Sequence, residues 1–519
     1  MDTKKKAKLH DIIGIGCGVV LVLALVLSLI FAGSGQTAGM PKSQIPAGAM
    51  TLYGTAQGRN DLIQVKVVAD ETTIYSIKVT DSAETKGIGS PAINYLPEKL
   101  FEAQSLAVDG LSGATISSDA IKEAVSNALI SGGISPVNFG GRLIVADTQA
   151  EKVETGVKVT LMTADKWAAE YPEIYESYMR NSENSEVTDY VSYYPMIQVL
   201  YENFGFAKYY SSARGHYYDV TDITETGRPH ALANCFTCKT PNFTAMVNEQ
   251  GESAYSLDFN DVMQEVNEPI SCYNCHANTP ETVTVTHSYL IDGVGDDFDS
   301  IDAANLACGQ CHVEYYFDTG NKATRLPHSS IESMSPDAIL AFFNDMDFAD
   351  YTNPRTGVRQ IKVQHPEFET FLGEGSQHRN KYTCADCHMG EETSADGTVY
   401  KSHYLTSPLN NETLIKNECS VCHTDLVAQV KELQAKVEDR TNEVGNLLVE
   451  LTEELAKAVE SGKYSDAELA EVRMLARNAQ FYWDFVFVEN SEGAHNSALT
   501  YQCLDKAEAL AKEAMELLK

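Results

Sequence analysis

Positive charge is scarce in this sequence. Only 39 Lys and Arg stand against 73 Asp and Glu in 519 residues, a formal net charge of −34. A chain this acidic repels polyanions, which excludes nucleic acid as a partner. A small anionic substrate would need basic groups gathered locally at its site. Cysteine is absent from the first 234 residues apart from Cys17, so cysteine chemistry is confined to the remainder of the chain. The hydrophobic fraction, 43%, is that of an ordinary folded protein.

The basic residues that exist include a cluster at the start. Lys4, Lys5, Lys6 and Lys8 precede an uncharged apolar run over residues 12–33. That run exceeds the ~20 residues a membrane-spanning helix needs. The lysines should stay on the cytoplasmic side, which puts everything after residue 33 outside, at the cell surface or in a periplasm. A cleaved signal peptide is the alternative, although its apolar core is usually only ~7–15 residues. Cys17 has apolar residues after it, which argues against a lipoprotein cleavage site.

Ten of the 12 cysteines fall in five Cys-x-x-Cys pairs. They are Cys235 and Cys238, Cys272 and Cys275, Cys308 and Cys311, Cys384 and Cys387, and Cys419 and Cys422. In the last four pairs a histidine comes directly after: His276, His312, His388 and His423. Cys-x-x-Cys-His is the attachment signature of c-type haem, in which two thiols bind the vinyl groups and the histidine becomes the proximal iron ligand. Neither zinc sites nor disulfides demand a histidine after every pair. The 13 histidines leave enough to give four such haems a second axial ligand. The first pair is succeeded by Lys239 instead. A lysine amine binds iron only when deprotonated, so a fifth haem held this way is chemically distinct. Cys503 is left unpaired and reads as a buried thiol.

The organisation suggests several parts. Residues 1–33 form a basic tip and transmembrane helix, and 34–48 a linker rich in Gly, Ser, Pro and Ala. Residues 49–135 read as a small α/β unit, with strands over 62–68 and 73–79 and helices over 97–103 and 118–129. Residues 136–165 read as connecting strands and linker, with strand-like runs within 140–162. Residues 166–519 form a mainly α multihaem domain in which Trp167 opens a helical, tyrosine-rich region. A long helix over 425–459 carries a heptad of Leu426, Val430, Leu433, Val437, Val444, Leu447, Leu451 and Leu455, broken by Arg440. Ser465 and Glu468 have the spacing of a capping box and start the next helix. The apolar seam suits a homodimer contact; packing within the chain is the alternative.

From about Trp167 onward the chain resembles the pentahaem cytochrome c nitrite reductases. The resemblance rests on Ala213-Arg214-Gly215-His216, the run from Val220 to Arg228, Cys-x-x-Cys-Lys at 235–239, Cys308-Gly309-Gln310-Cys311-His312-Val313-Glu314-Tyr315-Tyr316-Phe317, Lys362-Val363-Gln364-His365-Pro366-Glu367, and Gly493-Ala494-His495-Asn496. It implies that Lys239 is the proximal ligand of a catalytic haem with an open distal face. Arg228, Tyr315 and His365 would line that face. Glu314, the carbonyls of Tyr315 and Lys362, and the side-chain oxygen of Gln364 would hold calcium. His216, His378, His403 and His495 would be the distal ligands of four bis-His haems. His10, His230, His287 and His328 are left as structural or surface residues. Taken singly, each pocket residue has an ordinary reading: Arg228 on the surface, Tyr315 in a core, His365 as another distal ligand. Together, Arg228 and His365 supply the local positive field that the acidic chain lacks, and Tyr315 a hydrogen bond or proton.

Residues 49–130 resemble the FMN-binding domain of membrane flavoproteins. The carrying residues are Glu84-Thr85-Lys86-Gly87-Ile88-Gly89 and Asp109-Gly110-Leu111-Ser112-Gly113-Ala114-Thr115-Ile116-Ser117-Ser118. The resemblance implies FMN esterified to Thr115 by a flavin transferase, with Ser112, Gly113 and Ala114 letting the backbone approach the phosphate at a helix start. A plain helix N-cap is the alternative for Thr115. The expected protein is a membrane-anchored reductase that needs haem lyase for maturation and a membrane electron donor, quinol or flavin-linked oxidoreductase. A non-catalytic electron conduit and a reductase of hydroxylamine or another small oxyanion are the competing readings. A fifth bis-His haem would distinguish the conduit.

Overall fold

Alternation of apolar and polar residues shapes the front of the chain. Four strands, β1 (Thr37–Gly39), β2 (Met50–Gln57), β3 (Leu62–Ala69) and β4 (Ile74–Asp81), form an antiparallel sheet in the order β1-β4-β3-β2. In β3 the side chains of Ile63, Val65, Val67 and Ala69 are buried and their neighbours are more exposed, the period of two of a half-buried strand. Two helices come next, α1 (Ser90–Ala103) and α2 (Thr115–Ser131). α2 covers β2 and β3 while α1 covers β4. The approach of α2 is close: a Cβ on Gly54 would overlap the backbone of Ala124 and Ala128. Ile77, Leu96, Leu100, Ile121 and Val125 close this core.

The computed structural model describes residues 37–519 except 42, 43, 47, 60, 61, 87, 88, 109, 112, 113, 133, 135–138, 140–148, 209–213, 228–230 and 380. The expected membrane helix over 12–33 lies outside the described residues. Among those described, no helix is long and apolar enough to cross a membrane. The chain divides into two units, Met1–Val145 and Ala146–Lys519. Both expected strands and both expected helices of the front unit form. β1 and β2 were not foreseen, and α1 begins earlier than expected and runs through Pro97.

The second unit is mainly helical, as expected. Of the strand-like runs in 140–162, the described residues show one short strand, β5 (Glu151–Lys152), paired in parallel with β6 (Thr284–Val285). Trp167 closes a single helical turn, Ala164–Trp167. Three long helices end the chain: α3 (Leu426–Ser461), α4 (Asp466–Phe487) and α5 (Ser497–Leu517). Asp425 caps α3 by accepting from the Ala428 N–H, and the Ser465/Glu468 capping box starts α4. The heptad seam is used within the chain. Val437, Val444, Leu448, Leu451 and Leu455 are buried in one core with Ala479, Trp483, Leu504 and Ala507. The Trp483 indole donates to the Thr441 carbonyl at 2.8 Å. Arg440, the polar break, pairs across to Asp505 (3.1 Å) and Glu508 (2.6 Å) on α5. The preference for spending this seam on a second chain is therefore corrected for its buried stretch: α4 and α5 already cover it, with Thr441 bonded to Trp483 of α4 and Arg440 to Asp505 and Glu508 of α5.

Candidate active site

Each haem-type motif is a short local structure that its own residues specify. Cys272–His276 and Cys384–His388 are one-turn helices. Asn274 accepts from the Ser271 N–H (3.0 Å), and Thr383 and Asp386 form a reciprocal capping box. Cys308 closes the helix Ala303–Gly309, and the His312 N–H bonds back to its carbonyl at 2.9 Å. Such a turn puts two thiols and an imidazole on one side. The Lys239 motif differs in backbone as well as in sequence. It leaves a 3-10 turn, Ala233–Phe236, and Cys238 takes a left-handed φ of 60°.

The histidines come together in pairs from distant parts of the chain. Ring centroids are 6.2 Å apart for His276 and His403, 6.2 Å for His378 and His423, 6.1 Å for His388 and His495, and 5.8 Å for His216 and His312. Two imidazoles on one metal, with bonds of ~2 Å each, have centroids roughly 6 Å apart. The four pairs fit a bis-imidazole iron. His365 also lies 6.0 Å from His312, so that ring has two histidine neighbours. The Nδ1 atoms are held elsewhere: His276 donates to the Thr282 carbonyl (2.9 Å), His388 to Thr406 (3.0 Å) and His403 to Lys401 (3.1 Å). Because a carbonyl only accepts, these bonds set the tautomer and leave Nε2 free to bind metal. Burial pushes His388 and His403 down to about 4 and His216 to about 3, which keeps them neutral ligands.

The motifs themselves converge. Ligand atoms of Cys238, His287 and Cys311 all lie within 4.8 Å of one another, which brings the Lys239 motif against the His312 motif. The helix Ala303–Gly309, which carries Cys308, packs on the helix Cys384–His388, which brings the His312 and His388 motifs together.

Around the Lys239 motif the structure gathers acidic and aromatic side chains. Lys239 Nζ stands 3.4 Å from Asp219 Oδ1. Burial raises the Asp219 carboxyl to about 6, partly opposed by Lys239. Tyr315 and Cys238 pack on the same apolar cluster, and the Tyr315 ring meets Phe317 at 5.4 Å. Glu367 links His312 and His365, lying 3.8 Å from Nδ1 of each, and Asn490 holds it in place. Burial works against charge on His312, but Glu367 outweighs it and pushes the imidazole up to about 9. Arg228 lies outside the described residues.

The calcium candidates also meet. Glu314 is fully buried; its Oε2 accepts the Gln364 N–H at 2.6 Å, while Oε1 has no hydrogen-bond partner. The Gln364 side-chain amide sits 3.0 Å from the Lys362 carbonyl. Burial drives the Glu314 carboxyl well above the usual carboxylate range. A buried carboxylate with an orphaned oxygen beside a carbonyl and an amide is a hard oxygen donor set that a calcium ion would satisfy. Glu369 Oε1 fixes this segment by accepting the Glu314 N–H (2.9 Å), and it lies 2.9 Å from His328 Nε2.

Residues 163–519 match the cytochrome c552 family. The chain belongs to that family. Residues 58–130 match the FMN-binding domain. Cytochrome c nitrite reductase from Desulfovibrio desulfuricans, whose catalytic subunit has two calcium sites, is similar over 69% of this chain and 86% of its own, at 27% identity and a TM-score of 0.60. Fainter likeness exists to an outer cell wall cytochrome (18% identity, 57% and 48% covered, TM-score 0.32) and to an undecahaem cytochrome of the S-layer of Carboxydothermus ferrireducens (19%, 58% and 41%, 0.30). Both family expectations read from the motifs are thus borne out.

The chain carries its flavin candidates in the front unit. Glu84 accepts from the Arg59 N–H (2.7 Å) and from the Ser117 hydroxyl, so the two FMN-type motifs meet. Gly89 is forced by this meeting, since a Cβ there would strike Glu84 and Ser117. Thr115 is the first residue of α2, Ala114 is buried, and Thr85 accepts from the Gly89 N–H at 3.0 Å through its carbonyl. Ser112 and Gly113 lie outside the described residues. A close backbone turn at a helix start fits a phosphate. Sequence reasoning missed Asp219, Glu367 and Glu489, because an acidic residue in an acidic chain carries no local signal. His287 and His328 are buried and hydrogen-bonded, the structural role expected of them. His10 and His230 lie outside the described residues.

Proposed function

We propose that this protein reduces nitrite to ammonium, a six-electron, eight-proton reaction, at a haem held by Cys235, Cys238 and Lys239. The observation that carries the reading is the histidine arrangement. Four imidazole pairs account for the four histidine motifs, and the fifth motif offers a lysine. A haem held there by Cys235, Cys238 and Lys239 would supply substrate binding and electron delivery. The chain's residues do the rest. Arg228 and His365 donate to the nitrite oxygens and offset the repulsion of an anion by a chain of net charge −34. Tyr315 donates a hydrogen bond or proton. Glu314, Gln364 and the carbonyls of Tyr315 and Lys362 hold calcium, which keeps the segments bearing Tyr315 and His365 in place.

The same reading assigns His216, His378, His403 and His495 as distal ligands and FMN to Thr115, with Glu84, Thr85, Ser112, Gly113 and Ala114 around it. Domain order suggests the route of electrons: membrane donor, FMN, haems, nitrite. Residues 12–33 would tether the chain to the membrane, and the half-exposed start of α3 near Leu426 and Val430 would meet a second copy. The test is nitrite-dependent oxidation of reduced viologen by the fully haem-loaded protein, with ammonium quantified. Stoichiometric ammonium supports the reading; viologen oxidation without ammonium, or none at all, rejects it.

A further inference from the structure

The paired histidines differ in what holds their outer nitrogen. For His276, His388 and His403 it is a backbone carbonyl, and for His423 the side-chain amide oxygen of Gln429 at 3.1 Å. Glu367 stands 3.8 Å from His312 Nδ1, beyond a hydrogen bond. Of the paired histidines, all of them among the described residues, only His495 has a carboxylate in hydrogen-bond contact: its Nδ1 lies 2.7 Å from Glu489 Oε1. Glu489 is 4% exposed. Its other oxygen accepts the Ser491 hydroxyl at 2.7 Å, and Ser491 Oγ accepts the His495 N–H at 2.9 Å. The connection between α4 and α5 thus folds on itself to aim one buried carboxylate at one imidazole.

A carboxylate on Nδ1–H draws the proton away and gives the imidazole anionic character, which makes it a stronger donor to its metal. A ferric haem carries one more positive charge than a ferrous one, so a stronger donor and a buried negative charge both favour the oxidised state. Second-sphere hydrogen bonding is a recognised lever on haem potential. We infer that Glu489 is a positioning and tuning residue that lowers the reduction potential of the haem held by Cys384, Cys387, His388 and His495. That motif lies against the His312 motif, since the helix that carries Cys308 packs on the helix Cys384–His388.

The inference rests on the His388/His495 pairing proposed above, and the experiment separates the two. The haem-loaded protein and its Glu489→Gln variant are titrated electrochemically, tracked by visible absorption and low-temperature electron paramagnetic resonance. The expected result is one low-spin component whose potential shifts upward, with the others unmoved and five haems retained. His495→Ala is the arm for the pairing, and should turn that same component high-spin. If His495→Ala removes a low-spin component while Glu489→Gln moves none, the tuning is refuted and the pairing stands. If His495→Ala leaves every low-spin component in place, the pairing falls and the tuning with it. Should Glu489→Gln fail to assemble, Ser491→Ala decides: losing one donor makes the carboxylate more basic and shifts the component downward, and no shift or an upward one refutes the inference.

Discussion

Replacing Glu314 by Gln tests the calcium reading through stability rather than turnover. The side chain is fully buried, its Oε2 takes the Gln364 N–H at 2.6 Å, and its Oε1 has no partner. An uncompensated buried charge costs about 3–5 kcal/mol, and a bound cation removes that cost. At a free calcium level of about 100 times its Kd, binding adds about 2.7 kcal/mol. Chelation should therefore lower the melting temperature of the native protein by several degrees. Glu314→Gln keeps the Gln364 hydrogen bond, carries no charge, and should melt at one temperature with or without chelator. The raised carboxyl also sets a pH dependence. Between its ordinary value of 4.5 and its higher folded value, the metal-free folded chain keeps a proton the unfolded chain has lost. Stability of the chelated protein should thus fall as pH rises through that window. Asp219 and Asp350 are raised in the same sense, so the contribution of Glu314 is the difference between native protein and variant. Scanning calorimetry with and without chelator measures it. A native melting temperature indifferent to chelation, or an equal drop in both proteins, refutes the reasoning.

Lys239→Ala should abolish ammonium formation while the four bis-His signals persist in electron paramagnetic resonance; retained ammonium formation would show that the reacting haem lies elsewhere. Thr115→Ala should remove covalent flavin, seen as lost fluorescence of the denatured band, and should stop activity with the physiological donor but not with viologen. Leu455→Ala removes a fully buried side chain from the α3 seam and should cost about 2–5 kcal/mol by denaturant unfolding of the second unit. A cost below about 1 kcal/mol would mean that the seam is not closed within the chain. Tyr315→Phe should lower the ammonium rate by about 10²–10⁴ if the hydroxyl delivers protons, with haem content unchanged.

Much of the site was legible because haem attachment is written locally. The thiols of a motif and its proximal ligand lie within five consecutive residues, so spacing alone identifies them, and Lys239 stands out against His276, His312, His388 and His423. The front strands were legible for a similar reason, since side chains alternate along each strand and burial is recorded residue by residue. β2 was missed because Met50 and Tyr53 are exposed and Leu52 is its one large buried side chain, with Gly54 shaped by α2 rather than by its own strand.

The sequence by itself determined the five Cys-x-x-Cys motifs, the odd lysine after the first of them, and the families of both units. Tertiary structure decided what those residues face. It brought His388 to His495 and His276 to His403 across a hundred residues or more, turned the α3 seam inward, and set Asp219 beside Lys239 and Glu489 beside His495. Such contacts depend on long-range packing of several segments at once, and no local pattern of charge or hydrophobicity records which carboxylate ends next to which base.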